Sequence, residues 1–216
     1  MIKIVPSGDS ILIIQDLKSL KSSSLSVYIE KLNLTEIEDI ISLKNSLGII
    51  FNPYKITSER LIKKIQNVIS DKNLNIKKKS KTWKIPICYD KDFAIDFKEI
   101  SSISKLDLEQ LKKKHFNKTY EVDLIGFLPG FLYLGDLDKS LRFPRKKNPR
   151  TSIPEGSVGI AGNQTGIYNI ESPGGWNIIG RTPLKLFNKS KNPPISISQG
   201  DKVIFQEITK EDFYNY

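Results

Sequence analysis

A chain of 216 residues has room for one large domain or two small ones, and its 38% apolar and 27% charged residues leave it polar but able to bury a core. A single cysteine, Cys88, excludes an internal disulfide framework and points to a reducing, cytoplasmic setting. No apolar run approaches the length of a membrane span, and no long apolar stretch follows Lys3 as a signal peptide requires. The net charge of +10 is mostly lysine on amphipathic segments and in the run 77–79. No aromatic RNA-binding signature or helix-turn-helix pattern accompanies it, so it reads as a solvated surface rather than a nucleic-acid site.

In the first part of the chain, 2–5 and 11–15 read as strands around the turn Pro6-Ser7-Gly8-Asp9. A helix is expected over 18–32, with Leu20, Val27 and Ile29 buried. Residues 37–43 and 47–51 read as a hairpin across Lys44-Asn45-Ser46. Thr57 or Ser58 can cap a second helix whose apolar stripe is Leu61, Ile62, Ile65, Val68 and Ile69. A lysine-rich connector then leads to a strand at 83–89, and this order suits a small open α+β sandwich.

Glycine and proline usage then changes. Residues 1–84 hold 2 of the 13 glycines and 2 of the 11 prolines, whereas 126–183 alone holds 10 and 6. That switch divides the chain into 1–80 and 81–216. Two short helices follow Asp96, the second containing Leu106, Leu108 and Leu111 and ending near His115. Short strands are expected at 120–127, 157–161, 166–169, 176–180, 184–187 and 203–206, each junction marked by glycine or proline. Such spacing indicates a β-barrel or sandwich.

The chemistry-bearing residues narrow the possibilities. There is no phosphate-loop motif, and Gly156, Gly159 and Gly162 are not spaced as a dinucleotide fingerprint. One histidine and one cysteine cannot build a conventional zinc site, so no metal site is expected. His115 lies at a lysine-rich helix end, where capping is the ordinary role and catalysis the alternative. Arginine usage is more telling. The chain has 29 lysines and 5 arginines, yet Arg142, Arg145, Arg150 and Arg181 all fall within 126–183. A planar guanidinium fork suits carboxylates and phosphates in a way lysine does not. Anion binding by at least one of the four is expected, against internal ion pairs with Glu155 or Glu171. Gln164, Thr165, Tyr168 and Ser172 add neutral donors.

The strings G-F-L-P-G-F-L-Y-L-G from Gly126, P-R-K-K-N-P-R from Pro144, G-S-V-G-I-A-G-N-Q-T-G-I-Y from Gly156, E-S-P-G-G-W from Glu171 and G-R-T-P from Gly180 resemble the KipI-like family, which includes the B subunit of bacterial ATP-dependent 5-oxoprolinase. Ile85-Pro86-Ile87-Cys88-Tyr89 is similar to a further family segment, and His115 aligns with a histidine common there. Leu128, Leu132 and the pair Asp90-Lys91 depart from the usual pattern. The resemblance implies an α+β N-terminal domain followed by a mainly-β cyclophilin-like barrel, akin to subdomains of the carboxyltransferase part of urea carboxylase. It implies cleavage of 5-oxo-L-proline to L-glutamate coupled to ATP hydrolysis, through phosphorylation of the lactam oxygen. The chain would act with subunits A and C, the latter carboxyltransferase-like, and would share ATP with them. Candidate substrate- or nucleotide-binding residues are His115, Arg145, Arg150, Gln164, Thr165, Tyr168, Ser172, Trp176 and Arg181; catalytic residues are unassigned. The alternative from the same family is a non-catalytic inhibitor bound to a histidine kinase.

Overall fold

The computed structural model describes residues 2–17, 22–70 and 80–216. The chain falls into two compact units, Met1–Lys79 and Ser80–Tyr216. The expected helix segment 18–21, with Leu20, and the connector lysines 77–79 lie outside the described residues.

The first unit is a four-stranded antiparallel sheet with two helices. Its elements are β1 (Lys3–Pro6), β2 (Ile11–Gln15), α1 (Ser22–Lys31), β3 (Ile37–Ser42), β4 (Leu47–Phe51) and α2 (Ser58–Ser70), with strand order β1-β2-β4-β3. Period-two alternation buries Leu12 and Ile14 from β2 and Leu47, Ile49 and Phe51 from β4. Leu25 and Ile29 of α1 and Leu61 and Ile65 of α2 complete that core, while Val27 is only half-buried.

The second unit contains β5 (Thr82–Ile87), α3 (Phe97–Ser104), α4 (Leu108–Phe116), β6 (Thr119–Ile125), β7 (Leu132–Leu134), β8 (Arg150–Ile153), β9 (Ser157–Ala161), β10 (Gln164–Ile167), β11 (Ser172–Gly174), β12 (Asn177–Arg181), β13 (Lys202–Glu207) and α5 (Lys210–Asn215). Seven strands form one sheet in the order β12-β9-β10-β7-β6-β13-β5. The β13–β5 pair alone is parallel, so β5 belongs to this unit and does not close the sandwich of the first. Pro86 sits in β5 at the sheet edge, where its missing N–H costs no ladder bond.

The two ends of this sheet meet. Cys88 N–H donates to the Arg181 carbonyl at 2.8 Å, and Arg181 N–H donates back at 2.9 Å. The sheet therefore curls until β5 is continued onto β12. Gly180 permits the approach, since a Cβ there would stand 2.8 Å from the Cys88 carbonyl oxygen. Ile85, Ile87, Val122, Leu134, Val158, Ile160, Ile179, Val203 and Phe205 fill the concave side, with Ile100 and Leu111 from the helices.

Several expectations shift. Residues 184–187 form no strand; only Phe187 bridges to Ile195. The following Pro193 and Pro194 lack the N–H groups that would extend a ladder. Strand β10 begins at Gln164 rather than Gly166. Leu106 precedes α4, whose cap is Asp107 in a capping box with Gln110. Leu106 and Leu111 then flank the cap from both sides and join the core, the arrangement that fixes a helix entry.

Candidate functional site

The sequence-selected residues separate into two groups on opposite sides of the curled sheet's strands. The first group is interior. His115, on the last turn of α4, is fully buried and stacks on Phe205 with ring centroids 4.6 Å apart. Its Nδ1 lies 2.6 Å from the Tyr89 hydroxyl and its Nε2 lies 2.9 Å from Thr165 Oγ1. Thr165 Oγ1 in turn donates to the Gly159 carbonyl at 3.0 Å. A carbonyl only accepts, so the threonine proton is committed there. The network then assigns the histidine proton to Nε2, and Nδ1 accepts from Tyr89. Burial pulls the imidazole pKa down to about 3, which keeps it neutral, and pushes the Tyr89 phenol well above its ordinary value. His115 is not a helix cap; the C-cap is Asn117. His115 and Thr165 are wholly inside and fully paired, so in this conformation they offer nothing to a ligand.

The second group lies on the other face, beneath the two-stranded ribbon β8–β11. Phe131, Ile153, Tyr168, Trp176 and Ile178 form a separate apolar cluster there, flanked by Tyr133. Phe131 meets Tyr168 edge-on at 4.9 Å, and both Phe131 and Tyr133 meet Trp176 edge-on at 5.5 and 5.7 Å. The exposed Phe127, held at φ 70°, adds an edge contact to Phe131. The guanidinium carbon of exposed Arg145 stands 5.9 Å from the Trp176 ring centroid, within cation–π range. Burial raises the Tyr168 phenol to about 12, against a hydrogen bond from the Trp176 backbone and the positive charges of Arg145 and Arg150, which pull it downward. Gly174 opens the space for it: a Cβ there would stand within van der Waals overlap of the Tyr168 hydroxyl and of Ile153.

Arg150 is anchored by a residue that sequence reading passed over. Asp96 is 3% exposed and precedes α3, the usual position of a cap, yet it makes no side-chain cap bond. Its Oδ1 accepts from Arg150 Nη2 at 2.5 Å and from Lys146 Nζ at 2.9 Å, and its Oδ2 accepts from Ile178 N–H at 2.7 Å. An internal ion pair, weighed with Glu155 or Glu171 as the alternative to anion binding, is thus made by Arg150 with Asp96. Glu171 instead accepts from Ser152, and Glu155 offers its backbone carbonyl to Arg181 Nε at 2.7 Å. Arg181 also lies 5.7 Å from the Phe213 ring centroid, and Arg142 Nε donates to the Leu137 carbonyl. Gln164 donates to Asp123 at 3.3 Å. Arg145, Arg150, Tyr168, Ser172 and Trp176 therefore gather at one face, whereas Gln164, Arg181, His115 and Thr165 are engaged in the scaffold. Sequence reading missed Asp96, Lys146, Tyr133 and Phe131; the G-F-L-Y-L-G string carried the two aromatics, but a lone acid before a helix carries no such signal.

The chain matches the family model described as carboxyltransferase domain, subdomain C and D, over residues 2–197. It belongs to that family. Curated relatives that bear the name of the 5-oxoprolinase B subunit include that of Bacillus subtilis (strain 168), 40% identical over 77% of this chain and 68% of its own length, and that of Escherichia coli O157:H7, 35% identical over 78% and 77%. Among solved structures, the conserved uncharacterised protein PH0987 from Pyrococcus horikoshii is 37% identical over 98% of this chain and all of its own, with a TM-score of 0.60. The urea carboxylase of Kluyveromyces lactis has the same fold at a TM-score of 0.77, with 22% identity over 99% of this chain and 22% of that one. Among the described residues, no cluster of three or more histidine, cysteine or acidic side chains is placed to hold a metal, and no helix is long and apolar enough to cross a membrane.

Proposed function

We propose that this chain is one component of an ATP-dependent 5-oxoprolinase and contributes an anion-binding face to the cleavage of 5-oxo-L-proline to L-glutamate. Its curled sheet is the cyclophilin-like barrel that the family motifs imply, preceded by the α+β domain at 1–80. The observation that carries the reading is the gathering of Arg145, Arg150, Tyr168, Ser172 and Trp176 at one face, in a chain related to proteins that bear the name of this enzyme's B component.

The chemistry of that face fits the reaction. The substrate is a small, flat lactam with one carboxylate. The half-buried Tyr133, backed by the buried Phe131 and Trp176, suits the ring, and the guanidinium group of exposed Arg145 beside Trp176 suits the carboxylate. Activation of the lactam oxygen by phosphorylation builds negative charge beside the ring, which fixed cationic and N–H donors stabilise. Tyr168 stays protonated at neutral pH, so its hydroxyl keeps a proton that it can donate. The chain carries no phosphate loop. The family resemblance implies that ATP is shared with partner subunits A and C, and we assign turnover to that cytoplasmic heteromeric complex.

Co-purification with candidate A and C subunits, followed by an assay of 5-oxoproline-dependent ATP hydrolysis, tests the reading. Turnover is expected from the three together and from none alone. Robust turnover by this chain by itself, or none by the assembled complex, overturns it.

A further inference from the structure

We propose that Arg150 Nη1 and Ser172 Oγ form an oxyanion subsite, pre-set by Asp96, that takes a carboxylate or phosphoryl oxygen. The inference rests on the reading of this face as the ligand-binding face, and it names which donors make the decisive contact.

The argument starts from what is left over. Among the described residues, five side-chain polar atoms are buried without a hydrogen-bond partner, and Arg150 Nη1 and Ser172 Oγ are two of them. Such an atom costs a folded chain stability unless something satisfies it. The two sit on one ribbon. Strand β11 pairs with β8 so that Ser172 faces Ile153 and Gly174 faces Arg150. Ser172 is 6% exposed.

The Arg150 fork is only half used. Asp96 takes Nη2 through Oδ1, and its Oδ2 is committed to the Ile178 N–H, so it cannot close a bidentate pair around Nη1. One carboxylate thus fixes the guanidinium plane and leaves an ionised N–H without an acceptor. Lys146 bridges Asp96 to Glu99, so the acid's charge is shared between two cations and the arginine keeps part of its own. Gly174, which faces Arg150 across the ribbon, lets the Tyr168 hydroxyl and Ile153 pack closely against the strand where a side chain would stand. Two donors of this kind, one of them ionised, fit an oxygen bearing negative charge. Asp96 is a positioning residue: it acts through Arg150.

The test uses the full chain and the assembled complex with 5-oxo-L-proline, its carboxamide analogue 5-oxo-L-prolinamide and inorganic phosphate as probes. Binding is read by titration calorimetry and by the guanidinium ¹⁵N–¹H signals, and KM by the coupled assay. Arg150→Lys keeps the charge and a contact to Asp96 but has no second nitrogen, so binding should weaken about tenfold or more. Ser172→Ala removes a hydroxyl with no structural partner. It should leave the melting temperature unchanged or higher while weakening the same probe several-fold. Preference for 5-oxo-L-proline over its amide identifies a carboxylate occupant, and saturable phosphate binding that the lactam does not displace identifies a phosphoryl one. Equal affinity and KM in wild type and both variants, or failure of every probe to saturate either preparation, overturns the subsite. Loss of the enzymatic reading alone leaves the phosphate titration standing, so the two failures are distinguishable.

Discussion

The two polar clusters of the second unit are built from the same motif strings and behave in opposite ways. In the Tyr89–His115–Thr165–Gly159 line every side-chain donor finds an acceptor and the chain of bonds ends on a backbone carbonyl. At the arginine–aromatic face, Arg150 and Ser172 keep atoms without partners and Arg145 rests on a ring rather than a carboxylate. A closed network serves the scaffold; an open one is available to a ligand. Motif membership does not separate the two, because Thr165 and Tyr168 stand three residues apart in one strand region and fall on opposite sides. If this distinction holds, variants of the first line should alter stability and spare ligand affinity, and variants of the second should do the reverse.

The largest effect is expected at His115. Replacement by alanine removes a fully buried ring stacked on Phe205 and strands both the Tyr89 hydroxyl and Thr165. A loss of about 3–5 kcal/mol in denaturant unfolding is expected, by analogy with other large-to-alanine changes in cores. A loss below about 1 kcal/mol would show that the line is not closed as described.

The same residue predicts a pH dependence. In the unfolded chain an imidazole takes up its proton near pH 6.5, while the buried ring resists it until about pH 3. Between these values the unfolded state binds more protons, so stability is fully present above the unfolded pKa and falls as the pH is lowered. The slope contributed by this group is about 1.4 kcal/mol per pH unit. Carboxylates that are hydrogen-bonded in the folded state add a loss of the same sign at lower pH. His115→Gln removes one proton from the slope, and unfolding measured at several pH values for both chains isolates it. Parallel curves for wild type and variant would contradict a neutral buried histidine.

Next in size is Asp96, which joins the two clusters' logic because it is buried like the first and faces the second. Asp96→Ala leaves Arg150 and Lys146 without their shared acceptor and Ile178 N–H without its own. Removing one partner of a buried pair costs about 3 kcal/mol or more, reduced here because both cations retain some contact with water. A loss of about 2 kcal/mol is expected. A stability equal to wild type would mean that Arg150 is held by the ribbon alone.

What could be read from the sequence follows from how far each signal extends along the chain. Long alternating or helical patterns found β2, β4, β9, β13 and α2, because a buried stripe of four or five residues fixes both type and place. The strands β7, β8 and β11 are three or four residues long, and β11 is Ser-Pro-Gly while β8 carries a single apolar residue, so no period could register. Helix α5 rests on the capping box of Thr209 and Asp212 rather than on an apolar stripe. Curling of the sheet depends on the Cys88–Arg181 bridge, which joins residues far apart in the chain and leaves no local trace. The arginine excess in 126–183 did mark the candidate site, but its division into spent and open guanidinium groups depended on Asp96, contributed from outside that block.

The smallest effect tests the comparison most finely. Arg145 is exposed and faces Trp176 without an ion pair among the described residues. A cation–π contact at an exposed position contributes about 0.5–1 kcal/mol. Arg145→Lys preserves charge and length but loses the planar face that stacks, so its unfolding free energy should stay within about 0.5 kcal/mol of wild type. If Arg145 contacts a ligand by its fork, KM in the assembled complex should rise about tenfold or more at unchanged melting temperature, because a charge-assisted hydrogen bond contributes about 1.5–3 kcal/mol. If it only braces Trp176, the rise should stay near the roughly two- to fivefold that the cation–π energy allows. Trp176→Phe separates the two cases. It weakens the stack while leaving the guanidinium, so an effect as large as that of Arg145→Lys assigns the arginine to holding the ring, and a smaller one assigns it to the ligand. Stability loss in Arg145→Lys comparable to that of Asp96→Ala would place Arg145 in the closed, structural class and remove it from the open face.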